Sequence, residues 1–315
     1  MKKSIIAMMM AAAVALCLTS CGSEKKSKVV KIGVIQLVEH PALDANYQGF
    51  VDGLKEAGYV DGQNIKIDYQ NAQGEQANCV TIAQKLINDR SDLIFAIATP
   101  AAQAVANLTD EIPIVISSVT DPESAKLVQK NTAPGNNVTG TSDLTPCAAQ
   151  MQLLKKICPE AKTVGMLFCS SEQNSYFQIA LAEKACDELG LKYVEATVSN
   201  SNEIQQVVQN LSKKVDVIYS PTDNMIAAGM TLVAQVATEN GIPTIVGEEG
   251  MVNAGGLATY GLSYYELGKQ TAKMAVEVIE GKNPADMPIQ YLDKCDLKIN
   301  EDTAKKLGIT IPSNL

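Results

Sequence analysis

Residues 93–108 read LIFAIATPAAQAVANL. An apolar run with the look of a buried strand stops at Thr99-Pro100, and an alanine-rich helix follows at once. A strand without polar alternation is buried on both faces, as in a parallel sheet. Thr99 is placed to cap the helix through its hydroxyl, and Pro100 suits the first helical position. Such an arrangement leaves the N–H groups of Ala101 and Ala102 unpaired at the positive end of the helix, which favours a carboxylate or phosphate. Plain capping would use the same residues, so the joint alone leaves both readings open.

The same grammar extends in both directions. VKIGVIQLV (30–38) is another continuous apolar strand, and the helix after it places Tyr47, Phe50, Val51 and Leu54 at i, i+3, i+4 and i+7 before stopping near Gly58. NIKIDYQNA, DLIFAIA, IPIVISS and NNVTGTSD supply further strands with helices between them. Alternation of this kind means parallel βαβ units. The pattern then restarts: KTVGMLFCSS parallels VKIGVIQLV, VDVIYSPTDNMIAAG parallels DLIFAIATPAAQAVA, and GIPTIVGEEG parallels EIPIVISSVT. Gly165 follows Gly33 by 132 residues, Asp216 follows Asp92 by 124, and Pro243 follows Pro113 by 130. A near-constant shift predicts an α/β fold of two similar doubly wound lobes, each around a parallel sheet.

Ligands bind beyond the carboxyl ends of such strands, so two facing lobes make a cleft that a hinge closes. Further strand ends supply Ser117 and Ser118, then Ser170 and Ser171 in CSSEQNS, then Asp223 in SPTDNM. Asp223 is also in position to cap a helix. Carboxylates at Asp223, Asp143, Glu39 and Glu248 are placed to meet an ammonium group. An anion socket facing a carboxylate is what a free α-amino acid needs.

The amino terminus has its own signal. Lys2 and Lys3, the apolar run SIIAMMMAAAVALCL and the small residues of TSC have the order of a secretion signal. That run is shorter than the ~20 residues a membrane helix needs. LTSCGS has the form of a lipobox, which makes residues 1–20 a signal peptide, Cys21 the lipid-attachment site and 21–29 a polar tether. The protein is then expected outside the cytoplasmic membrane on a lipid anchor. The charge is −9, or −11 without Lys2 and Lys3, which argues against nucleic acid. Cys79, Cys147, Cys158, Cys169, Cys186 and Cys295 show no C-x-x-C and no zinc spacing, so they read as mostly buried free thiols rather than a metal site. Catalysis is hard to support: the lone histidine, His40, sits in the loop VEHPALD, and no G-x-S-x-G elbow or Walker lysine appears.

Taken together, IGVIQLVEHPALD, GFVDGL, ATPAAQA, TDP, PGNNVTGTSD, SSEQNS, PTDNMIA and GGLAT resemble the periplasmic-binding-protein-like substrate-binding lipoproteins of ABC transporters. More narrowly, they resemble the group that includes tryptophan- and other aromatic amino-acid-binding proteins, over about residues 30–310. The resemblance implies a type I binding-protein fold with hinge crossings near 142–144, 261–263 and 287–291. One lobe would comprise 30–142 with 263–287, the other 143–262 with 288–315. It implies a ligand held by Gln36, Glu39, His40, Thr99, Ala101, Ala102, Ser117, Ser118, Thr120, Asp143, Ser170, Ser171, Asn174, Asp223, Asn224 and Glu248. In that scheme Thr99 and the two alanine amides take the ligand carboxylate, Asp223 takes its ammonium, and Gln36 and His40 flank its side chain. It further implies a monomer without cofactor or catalytic activity, delivering an amino acid to a permease and ATPase. A sensor feeding a receptor, a binder of a sugar, nucleoside or peptide, and a lipid-anchored enzyme using His40 are the competing readings.

Overall fold

The computed structural model describes residues 29–315. The expected signal peptide, Cys21 and the tether up to residue 28 lie outside the described residues. Strands β1 (Val30–Gln36), β2 (Ile65–Asn71), β3 (Leu93–Ile97), β4 (Ile114–Val119) and β5 (Val138–Ser142) form a five-stranded parallel sheet ordered β2-β1-β3-β4-β5. Helices α1 (Pro41–Glu56), α2 (Gln76–Asn88) and α3 (Thr99–Ala106) cross over between its first strands. β1, β3 and β4 are buried almost end to end, as their unbroken apolar runs require.

The second sheet contains β6 (Thr163–Cys169), β7 (Lys192–Val198), β8 (Val217–Ser220), β9 (Thr244–Val246), β10 (Ala258–Gly261) and β11 (Asp296–Ile299), ordered β11-β10-β9-β8-β6-β7. Only β11 runs antiparallel to its neighbour. Its helices are α4 (Cys147–Ile157), α5 (Gln173–Leu189), α6 (Ile204–Leu211), α7 (Asn224–Ala228), α8 (Met230–Glu239) and α9 (Glu249–Asn253). On β6 and β8, Val164, Met166, Phe168, Val217 and Tyr219 enter one apolar cluster while Leu167, Cys169 and Ile218 enter another. Side chains that alternate between two cores mean helices on both faces, hence a doubly wound lobe.

The chain then returns. Helix α10 (Tyr264–Ile279) leaves β10 and packs on α1 of the first lobe, with Asn46 Nδ2 donating to Tyr264 O at 3.4 Å. A Cβ on Gly49 would lie 2.0 Å from Tyr265 O, and one on Gly268 2.0 Å from Asn46 O, so glycine alone permits this crossing. Ile289 N donates to Asn131 O at 2.8 Å and Gln290 N to Gly140 O at 2.9 Å, while Ser142 N donates to Gln290 O at 2.8 Å. Gln290 thus pairs with β5, within the crossing expected near 287–291. Helix α11 (Glu301–Leu307) completes the second lobe. The six cysteines from Cys79 to Cys295 are free thiols. Among the described residues no helix is long and apolar enough to cross a membrane.

Candidate functional site

The strand-to-helix joint at Thr99 differs from the sequence expectation. Helix α3 starts at Thr99 itself, and the cap position is Ala98, at φ 81° and ψ 151°. Such a backbone conformation is essentially reserved for glycine, and its cost is tolerated mainly at functional sites. Ala102 N donates to Ala98 O at 3.0 Å, so its amide is not free as expected. Pro100 has no N–H, which leaves those of Thr99 and Ala101 as the first-turn donors. Thr99 Oγ1 is buried without a partner. One strand further, Ser118 is also left-handed, at φ 55°, and its buried hydroxyl is likewise unpaired.

Other expected residues separate into those at the lobe interface and those spent elsewhere. Ser117 Oγ accepts from Asn46 Nδ2 at 2.8 Å and contacts the Thr141 and Thr271 hydroxyls at 2.9 and 3.1 Å, a buried network inside the first lobe. Glu39 and Ser170 are exposed. Ser171 O accepts from Gln76 Nε2 across the lobes at 2.9 Å. His40 Nε2 lies 3.4 Å from Asn224 Oδ1, and the Thr120 and Thr222 hydroxyls are 3.3 Å apart; both pairs bridge the lobes. Gln178 Nε2 ties the second pair together, at 2.5 Å from Thr222 Oγ1 and 3.3 Å from Thr120 Oγ1.

The role expected for Asp223 does not match its surroundings. Its Oδ1 caps α7 by accepting from Ile226 N at 2.8 Å, and its Oδ2 accepts from Cys169 N at 2.7 Å and Ser175 Oγ at 2.6 Å. Three protein donors occupy it, so it is a structural cap. Glu248 similarly caps α9 through the N–H groups of Gly250 and Met251. Asp143 accepts two hydroxyls, Thr120 Oγ1 at 3.2 Å and Tyr264 OH at 2.7 Å, besides a backbone N–H of its own residue.

Charge in this region is one-sided. Asp143, Glu172, Asp223 and Glu248 are buried, and the buried described residues include no Lys or Arg. Burial pushes the carboxyl of Asp143 up to about 6 and that of Glu248 to about 7. Glu172 rises to about 8, from burial first and the neighbouring Asp223 second. Burial also takes the His40 imidazole down to about 4, so it is neutral at physiological pH.

Glu172, Asn46, Tyr264 and Ser220 were not singled out from sequence. Glu172 sits within the SSEQNS stretch, at the cap position of α5, and an acid before a helix start was its available signal. Asn46 Oδ1 and Ser220 Oγ join Gln36 Oε1, His40 Nδ1, Thr99 Oγ1, Ser118 Oγ and Asn174 Oδ1 as buried polar atoms without a protein partner. Apart from Asn46, these residues stand at or just beyond strand ends, four in the first lobe and two in the second. An interlobe cavity of about 540 Å³ is lined by Leu37, Gln73, Pro100, Glu172, Asn200 and Asn224 among others, and by none of the residues that carry these unpaired atoms.

Comparison with known proteins gives a consistent picture. The sequence pattern of the family described as ABC transporter substrate binding protein matches residues 31–315. A tyrosine-binding protein of Clostridioides difficile is 45% identical over 285 residues, covering 90% of this chain and 82% of that protein. An ABC domain from Streptococcus pneumonia solved in complex with L-Trp is 40% identical, with TM-score 0.88 over 91% of this chain and 97% of that one. The ligand-free, open structure of a substrate binding protein with adhesive properties from Clostridium difficile is 46% identical but has TM-score 0.69 over the same shares. Higher identity with a poorer fit is what lobes swung apart produce, and it marks the present arrangement as a closed one.

Proposed function

Because this chain belongs to the ABC transporter substrate binding proteins, which are extracytoplasmic binding proteins and not enzymes, we propose that it captures a free aromatic amino acid between its lobes. It would hand that ligand to a membrane permease driven by an ATPase subunit. One observation carries the reading: both lobes bury unpaired polar atoms, and one of the residues that bears them, His40, contacts Asn224 of the facing lobe. Leaving such atoms unmatched is costly, so a ligand that satisfies them is bound and the closed state favoured. The names of the tyrosine-binding and L-Trp-bound relatives support the aromatic class.

In this reading the ligand carboxylate sits at the start of α3, on the Thr99 hydroxyl and the Thr99 and Ala101 amides. Its ammonium goes to Asp143, whose side-chain partners are the hydroxyls of Thr120 and Tyr264 and which, unlike Asp223, caps no helix. Gln36 and His40 flank the side chain, with Ser118, Asn174 and Asn224 completing the shell. The lobes are 30–142 with 263–290 and 143–262 with 291–315. The lipobox LTSC supports diacylation at Cys21, which would keep a monomer at the membrane surface; Cys21→Ser should release it into the medium.

The test is a calorimetric and thermal-shift panel on tag-free protein, unfolded and refolded to strip ligand, against amino acids, sugars and nucleosides. A ligand at 100 times its Kd stabilises by about 2.7 kcal/mol, or several degrees at roughly 2–4 °C per kcal/mol. A response confined to Trp, Tyr or Phe is expected. A response only to a sugar or nucleoside would overturn the proposal.

A further inference from the structure

A glutamine fully buried on a helix needs an account, because its polar groups must find partners. Gln178 stands on the face of α5 that carries Asn174 and Ser175, and it is 0% exposed. Its Oε1 lies 3.5 Å from Thr222 N, a group that can only donate, and 3.5 Å from Thr145 Oγ1. That contact turns the amide nitrogen the other way, to Thr222 Oγ1 at 2.5 Å and Thr120 Oγ1 at 3.3 Å. The Thr222 hydroxyl then gives its own proton to Thr120 Oγ1, 3.3 Å away in the facing lobe.

Thr120 Oγ1 thus receives two donors from the second lobe, which fill both of its lone pairs. Its one proton is left to point at Asp143 Oδ1, 3.2 Å away. Every bond runs in one direction, from Gln178 and Thr222 to Thr120 and from Thr120 to Asp143. The first lobe already holds the Thr120 backbone, since Ser142 Oγ donates to Thr120 O at 2.6 Å. Closure therefore gives direction to a hydroxyl whose position is set beforehand. With the lobes apart both donors leave, and the hydroxyl is free to turn from the carboxylate.

We propose that Gln178 and Thr222 are positioning residues that, on closure, fix the Thr120 hydroxyl as a donor to Asp143 and so complete the ammonium acceptor. This rests on the amino-acid reading above, in which neither residue touches the ligand. An oxygen that accepts the Thr120 proton has less room for one of its own, so this series of bonds favours ionised Asp143 in the complex. Tyr264 OH acts in the same sense on Oδ2. Glu248 lies near both Asp143 and Tyr264, and the Cys295 thiol lies near Tyr264.

Titration calorimetry of stripped, tag-free protein with L-Trp and L-Tyr, in buffers of different ionisation enthalpy, tests the proposal. At pH 5 Glu248 and Glu172 keep their protons, the Cys295 thiol keeps its own and His40 is neutral. Asp143, with its carboxyl at about 6, is then the group that loses a proton on binding. The native protein should release most of one proton there. Thr222→Val keeps the shape and removes the hydroxyl. It should weaken binding about three- to tenfold at pH 7 and release fewer protons at pH 5, because Asp143 holds its proton longer in the complex. Thr222→Ser restores the hydroxyl and should recover both readings. Gln178→Met, at a separate place in the core, should follow Thr222→Val. Weaker binding with an unchanged proton count would mean a packing role and overturn the proposal, as would native affinity in both Thr222→Val and Gln178→Met. No proton release by the native protein would move the ammonium away from Asp143 and overturn it as well. Absence of binding by any amino acid would overturn the amino-acid reading itself, and this proposal with it.

Discussion

Asp223 is where a single residue's environment most changes the expectation. With Cys169 N, Ile226 N and Ser175 Oγ all donating to it, Asp223→Ala strands buried donors and uncaps α7. A loss of about 2–4 kcal/mol in urea unfolding is expected, with ligand affinity of the folded fraction little changed. Asp143 should behave in the opposite way. Its carboxyl titrates near 6 when unliganded, and an ammonium partner needs it ionised. Affinity should therefore fall below pH 6, by up to about tenfold per unit, and binding at pH 6 should release protons, as calorimetry in buffers of different ionisation enthalpy would show. Stability of the unliganded protein has its own sign. Glu248 and Glu172 keep protons up to about 7 and 8, above the 4.5 ordinary for a glutamate, so the folded state binds more protons than the unfolded one until those values are passed. Their contribution is thus lost as pH rises. His40, lowered from 6.5 to about 4, acts oppositely but only below 6.5. Between pH 6.5 and 8.5 the carboxyls decide, and the unliganded Tm should drop.

At the scale of elements, the joint between β3 and α3 shows how the site is held. The sequence pattern of a hydroxyl before proline reads as a capped helix start, yet the turn is made one residue earlier by Ala98 in a conformation suited to glycine. That shift brings Thr99 into the first turn with its hydroxyl unclaimed. Ala98→Gly should relieve the strain and raise stability by about 1–2 kcal/mol in thermal or urea unfolding. The same substitution loosens the turn, so weaker ligand binding should accompany the gain. β4 carries the matching feature at Ser118, so adjacent strand ends in the first lobe both store backbone strain at the interface.

For the whole molecule, the closed arrangement is secured at its rim as well as at its centre. Gln103 Nε2 donates to Gln173 Oε1 at 2.8 Å, and Gln173 Nε2 reaches back to Ser124 O at 2.6 Å. Both bonds cross between lobes, and neither residue belongs to the proposed ligand shell. Replacing Gln103 and Gln173 by alanine should weaken ligand binding roughly three- to tenfold. The loss should appear in the release rate by stopped-flow, since these contacts form after encounter. Unchanged release kinetics would show that closure depends on the ligand shell alone.

What the sequence by itself determined was local and repetitive. Unbroken apolar runs at β1, β3 and β4, helical spacing after them and a near-constant offset between halves are enough to predict two parallel-sheet lobes, because burial on both sheet faces imposes that pattern on every strand. The tertiary structure alone decided which polar atoms remain free once the lobes meet. Asp223 and Asp143 look alike as carboxylates at strand ends, but one caps a helix and the other takes the hydroxyls of Thr120 and Tyr264. Asn224 stands between Glu172, 2.5 Å from its Nδ2, and His40 of the facing lobe, 3.4 Å from its Oδ1. Hydrogen-bond satisfaction is a property of three-dimensional neighbours, often from distant chain segments, and no periodicity in the chain records it.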